Sequence, residues 1–162
     1  MKKGARMKLV RHLSIDELIK YRSEISSMLK EVYCINLPHS NITDEQIQNM
    51  IADLCKYLED GSAVLLGVFD KESLCGFLWA YRRYVGNQKR MHLNHIAIKA
   101  SSRGLGMGKM LIIELEAFCQ KEGFDAIELM ASISNKEAMG LYKNKGFEIE
   151  RVQFFKNFNK GS

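Results

Sequence analysis

The stretch of this chain with the richest chemistry runs Leu93-Asn94-His95-Ile96-Ala97-Ile98-Lys99-Ala100-Ser101-Ser102-Arg103-Gly104-Leu105-Gly106-Met107-Gly108-Lys109. An apolar, strand-like run leads into an arginine and three alternating glycines, and a helical pattern begins there. Glycine lets backbone N–H groups approach a ligand with no side chain in the way. A helix start presents about four unpaired N–H groups and roughly half a positive charge. With the full charges of Arg103 and Lys109 added, this predicts a phosphate cradle over Arg103, Gly104, Leu105, Gly106, Met107, Gly108 and Lys109. A bare glycine turn with no ligand would need neither cation.

Two familiar glycine motifs do not fit. A Walker loop requires Ser or Thr after its Gly-Lys pair, but Met110 follows here, and one residue separates Gly106 from Gly108. A dinucleotide fingerprint reads G-x-G-x-x-G and opens with the first strand of its domain; this one reads G-x-G-x-G and comes about 100 residues into the chain. On the same strand lie His92 and His95, whose residue type titrates in the physiological range. They are three residues apart, so on a flat strand they point to opposite faces and at most one meets a substrate. The four cysteines, Cys34, Cys55, Cys75 and Cys119, lack the close spacing of a zinc site. The expectation is small, buried, reduced side chains and no metal.

The elements that must position these residues follow from periodicity. Met7 to His12 reads as a short strand. Ser14-Ile15-Asp16-Glu17 and Thr43-Asp44-Glu45-Gln46 have the form of capping boxes. Behind them Leu18, Arg22, Ile25, Leu29 and Val32, then Ile47, Ile51, Leu54 and Leu58, recur at helical spacing, with Cys34 to Ser40 as the loop between. Gly61 ends the second helix, and three strands follow in a meander: Ala63 to Phe69, Leu74 to Tyr84, and Arg90 to Ile98. A helix then runs from about Gly106 to Lys121, a strand from Ala126 to Ala131, a third capped helix from Ser134 to Gly146, and a final strand or pair from Phe147 to Phe158. The order is βααβββαβαβ(β), a mixed α/β fold, in which the strand–helix–strand unit from Arg90 to Ala131 should be a parallel crossover.

Composition limits the alternatives. With hydrophobic residues at 46% and charged residues at 27%, the chain can bury a core and is not disordered. No apolar run reaches the roughly 18 residues of a membrane span, and no signal-like stretch follows the basic start Met1 to Arg6, so the expected location is cytoplasmic. The net charge of +5 suits an anionic ligand. The tail Phe154 to Lys160 mixes aromatics and cations as single-strand binders do, but it reads first as a last strand with a frayed end, so nucleic acid is not the expected partner.

At Arg103, Gly106 and Gly108 the sequence resembles the GNAT superfamily of N-acetyltransferases, whose signature is Arg or Gln, two residues, Gly, one residue, then Gly or Ala. The preceding Ile96-Ala97-Ile98 is similar to the family's cofactor strand. Asn135, Ala138, Leu141, Tyr142, Gly146 and Phe147 match a second motif. The resemblance is specific from about Leu74 to Phe158 and topological before that. It implies a GNAT-like, mostly antiparallel central sheet with a parallel, splayed pair at the cofactor site and helices on both faces, in a single N-acetyltransferase domain over residues 1–160. It implies acetyl-CoA as cosubstrate, with no metal. The pantetheine arm would lie against Ile96, Ala97 and Ile98, the pyrophosphate on the amides from Arg103 to Lys109, and Asn135 on the cofactor arm. Tyr142 would point its hydroxyl at the thioester sulfur. A homodimer is a further expectation, since dimers are common in the family.

Acetyl transfer to an amine requires an amine that loses its proton, a donor for the oxyanion, and a proton for the leaving thiolate. Tyr142 is expected to supply the last. The base is open: where many family members carry Glu, this sequence has Asn94, which cannot take a proton. His95 is the assigned candidate, with His92 and a water relay as alternatives. The acceptor is a primary amine on a small molecule or peptide, attacking directly in a ternary complex. Should Arg82, Arg83, Lys89 and Arg90 line its site, an acceptor bearing carboxylate or phosphate would fit best. The competing reading is a non-catalytic acyl-CoA-binding or regulatory domain on the same fold.

Overall fold

The computed structural model describes residues 7–159. The basic start Met1 to Arg6 and Lys160 lie outside the described residues. The elements are β1 (Lys8–His12), α1 (Ile15–Lys20), α2 (Arg22–Asn36), α3 (Asp44–Glu59), β2 (Ala63–Asp70), β3 (Ser73–Val85), β4 (Gln88–Ile98), α4 (Met107–Lys121), β5 (Ala126–Leu129) and α5 (Lys136–Asn144). The five strands form one sheet in chain order. Neighbours are antiparallel except β4 and β5, which run parallel across α4.

Alternation along the strands makes two cores. Ala63, Leu65, Phe77 and Trp79 face α1, α2 and α3, where Leu18, Ile25, Leu29, Ile47, Ile51 and Leu54 meet them. Val64, Leu66, Val68, Leu78 and Ala80 face the other way and pack on Leu111, Ile112, Leu115 and Cys119 of α4. Each fully buried Leu or Ile contributes roughly 1.5–3 kcal/mol, so these two layers dominate the stability. Both expected capping boxes at Ser14 and Thr43 are formed.

Several local expectations are corrected. The first helix breaks at Tyr21, and its second part, α2, continues through Cys34 to Asn36, so those residues are helical rather than loop. The strand after α4 stops at Leu129. The third helix is capped by Asn135, not Ser134: Asn135 Oδ1 accepts the Ala138 N–H at 3.2 Å, while Ser134 Oγ pairs with Ser132 Oγ. No strand forms among the described residues after Phe147. A strand exists only as one side of a ladder, and the neighbouring edge strand, β5, is four residues long. Phe154, Phe155 and Phe158 are consequently solvent-exposed. Cys34 is exposed too, whereas Cys75 and Cys119 are buried, and burial pushes the Cys119 thiol up to about 11.

Candidate active site

The site is organised by a β-bulge. Leu93 of β4 pairs with Ala80 of β3 and His95 pairs with Trp79, which leaves Asn94 with no cross-strand partner. An inserted residue resets the alternation of side chains. Met91 and Leu93 belong to the α4-side core, and beyond the bulge Ile96 and Ile98 pack on that side as well, while Ala97 joins the other. His92 and His95 therefore share a face, contrary to the flat-strand expectation. The His92 ring lies 5.0 Å from Tyr81, and the His95 ring lies 5.2 Å from Trp79 and 5.3 Å from Tyr33, all on the α1–α3 side.

The same region opens the sheet. The parallel ladder between β4 and β5 runs from Arg90–Ala126 to Leu93–Leu129 and stops. Strand β4 continues to Ile98, paired to β3 alone. Its backbone groups from Asn94 to Ile98 on the β5 side are thus free of a ladder partner. At the far end of this opening, Gly104 and Gly106 adopt φ of +74° and +76°, the left-handed region open to glycine. Gly106 is the N-cap of α4, whose first turn carries no acidic residue. Met107 is buried under the turn, whereas Lys109, Leu105 and both glycines are exposed. A loop that leaves helix-start amides uncovered, with Arg103 and Lys109 beside them, fits a pyrophosphate.

Tertiary contacts engage several expected site residues. Arg103 donates from Nε to Ile98 O at 3.2 Å and from Nη2 to Glu31 Oε1 at 2.6 Å. Asn135 donates from Nδ2 to Asn36 Oδ1 at 2.9 Å while its own Oδ1 caps α5. Tyr142 is buried in the cluster that holds Leu93, with Ile96, Ile98, Leu129 and Leu141 packed on it. Burial pushes its phenol up to about 12. His95 is 8% exposed, and its Nε2 is 3.1 Å from the Tyr33 hydroxyl. Its Nδ1 is buried with no hydrogen-bond partner, as is the indole Nε1 of Trp79 beside it. Burial, and to a lesser degree His92, pushes His95 down to about 4.

Sequence reasoning missed Glu31, Tyr33 and Asn36. All three project from the C-terminal half of α2, and their partners are 72, 62 and 99 positions away. No local signal marks them; only the docking of α2 across the sheet does. Glu128 was missed for the same reason. Three of the four hairpin cations have partners within the chain. Arg90 pairs with Glu128 and Glu150, Arg83 with Glu128, and Lys89 Nζ donates to Glu122 O at 2.8 Å. Glu128 and Glu150 thus neutralise part of this cluster, while Lys89 meets a carbonyl and Arg82 is exposed. Among the described residues no cluster of metal-ligating side chains occurs, and no helix is long and apolar enough to cross a membrane.

Among the described residues the mixed sheet parts between its one parallel pair, next to a glycine-rich helix start. A family model described as the acetyltransferase (GNAT) family matches residues 27–147, and the chain belongs to that family. It is 37% identical over 75 residues to N-alpha-acetyltransferase 50 of Danio rerio, covering 46% of this chain and 44% of that protein. It is 29% identical over 109 residues to mycothiol acetyltransferase of Renibacterium salmoninarum, covering 64% and 32% respectively. The matches thus span less than half the length of either relative. Among solved structures, an aminoglycoside acetyltransferase from an uncultured soil metagenomic sample superposes with a TM-score of 0.72 at 18% identity, over 95% of this chain and 98% of that one. At that identity the likeness shows the fold alone.

Proposed function

We propose that this chain moves an acetyl group from acetyl-CoA to a primary amine, by direct attack while both substrates are bound to its single domain. The observation that carries the reading is the opening between β4 and β5, lined by unladdered backbone from Asn94 to Ile98 and closed at one end by the glycine turn. Bound acetyl-CoA would supply an acyl carbon activated as a thioester. Ile96, Ala97 and Ile98 would hold the pantetheine arm through their backbone groups. Amides from Arg103 through Gly104, Leu105, Gly106, Met107 and Gly108 to Lys109 would hold the pyrophosphate, with the two cations adding charge. Asn135 would contact the cofactor arm in exchange for Asn36. Tyr142 suits the role of proton donor, since a phenol at about 12 stays protonated through the neutral range.

His95 fits the role of base poorly. An imidazole pushed down to about 4 is neutral at physiological pH and holds a captured proton weakly. That observation supports a water relay at His95, or a different base. Together with Asn94 where many family members carry Glu, it favours the binding-only reading. Relatives' names range over mycothiol, N-alpha and aminoglycoside acetyl transfer, so the acceptor is proposed only as a primary amine.

A melting curve with acetyl-CoA is the first test. Ligand at about a hundred times its dissociation constant adds ~2.7 kcal/mol, a rise of several degrees at this size, and Arg103→Glu should abolish it. No shift at millimolar acetyl-CoA from folded protein rejects the reading. Binding without thiol release for any amine favours the binding-only alternative.

A further inference from the structure

The two histidines of β4 share a face but not an environment. His95 is enclosed by Trp79 and Tyr33, with its Nε2 on the Tyr33 hydroxyl. His92 stands directly opposite Glu128 on the parallel ladder, one rung before the strands part, and its Nδ1 is 3.2 Å from Glu128 Oε1. Glu128 is itself bound by Arg90 Nη1 at 2.9 Å and Arg83 Nε at 3.0 Å. Burial pushes the Glu128 carboxyl up, but the hydrogen bonds from Arg90 and His92 and the Arg83 charge outweigh it and hold the group below the ordinary carboxylate value.

An ionised carboxylate is an acceptor only. Nδ1 must therefore carry the hydrogen in the neutral His92 ring, which leaves the lone pair on Nε2. A carboxylate in that position fixes the tautomer and the orientation of the ring. Around His92 the titratable and charged groups are Tyr81 and Arg83 from β3, Glu128 from β5, Arg90 and His95 on its own strand, and Glu150 reached through Arg90.

Resting on the acetyltransferase reading, we propose that His92, oriented by Glu128, is the general base for the acceptor amine. The nitrogen lone pair attacks the thioester carbon, the carbon–nitrogen bond forms, and the carbon–sulfur bond breaks. The proton leaving nitrogen goes to His92 Nε2 and the thiolate takes one from Tyr142; charge and protons balance once the imidazolium releases its proton to solvent and the Tyr142 phenolate takes one back from it. His92 is the catalytic residue, and Glu128 is a positioning residue acting through it.

Two measurements test this. Long-range proton–nitrogen NMR of the unliganded protein, assigned with His92→Gln, should find the neutral His92 ring protonated at Nδ1; an Nε2–H ring overturns the proposal. Thiol release from acetyl-CoA is then followed with spermidine, kanamycin and a tetrapeptide bearing a free N-terminus, using the best of the three. His92→Gln should lower kcat by about 10²- to 10⁴-fold, leave KM for acetyl-CoA within twofold, and erase the acid limb of the pH–kcat/KM profile. Glu128→Gln should lower kcat less and release the His92 ring from the Nδ1–H tautomer, read by the same NMR measurement. Turnover by His92→Gln within threefold of the parent, or with the limb intact, overturns the base assignment alone. No turnover by the parent, with acetyl-CoA raising its Tm, overturns the transferase reading and the base assignment with it. Should Glu128→Gln fail to fold, the His92→Gln kinetics and the parent tautomer still decide.

Discussion

The glycine turn after β4 and the histidine face of β4 are neighbours in the chain but were built in different ways. In the turn, everything that could hold a phosphate lies within seven residues, Arg103 to Lys109, and the backbone there does what its glycines permit. On the histidine face, each chemical property is set by a residue far away. Tyr33 is 62 positions from His95 and Glu128 is 36 from His92. Local sites can be read from spacing because the physics acting on them is local: a helix start, a left-handed φ, a charge beside it. Sites made of side-chain environments cannot, because burial and partner identity belong to the packed molecule.

The comparison breaks first at His95. A histidine whose folded pKa is depressed contributes stability that is complete above its unfolded value near 6.5 and is lost as the pH falls toward about 4. The unfolded chain binds the proton first, so stability must fall with pH across that window, by on the order of 3 kcal/mol. Urea melts at pH 7 and pH 4.5 should register this loss, and His95→Gln should flatten it. An unchanged slope in the variant would mean that the long-range enclosure does not govern this ring.

A smaller effect is expected at the turn. Gly106→Ala places a Cβ at φ +76° where nothing lies within 4 Å, so the cost is conformational and not steric. It should be about 1–2 kcal/mol by thermal unfolding. The shift in Tm given by acetyl-CoA should shrink with it if the turn's geometry is what presents the amides.

The smallest effect joins the two regions. Glu31 of α2 holds Arg103 through a half-exposed ion pair, which is worth about 0–1 kcal/mol. Glu31→Gln should therefore release Arg103 and tighten acetyl-CoA by at most about fivefold, measured by titration calorimetry. Weaker binding would show that Glu31 orients Arg103 for the ligand and does not compete for it.

Much of the framework was legible in the amino-acid order. The capping boxes at Ser14 and Thr43, the three-strand meander, the parallel unit around α4 and the glycine turn all follow from periods of 2 and 3.6 and from glycine placement. The expected strand after Phe147 failed because alternation gives a strand its faces but not its partner. Ser134 lost the cap to Asn135 because two polar residues competed for one helix start, and the contact with Asn36 favours Asn135.

By itself the sequence determined the glycine turn, most of the helices and strands, and the family resemblance, since each rests on short-range geometry or on residues adjacent in the chain. Only the tertiary structure decided that His92 and His95 lie on one face, because a single bulged residue, Asn94, resets the alternation and no residue type announces a bulge. It alone also decided which histidine is enclosed and which is backed by a carboxylate. Desolvation and charge pairing act between groups that the chain brings together only when it folds.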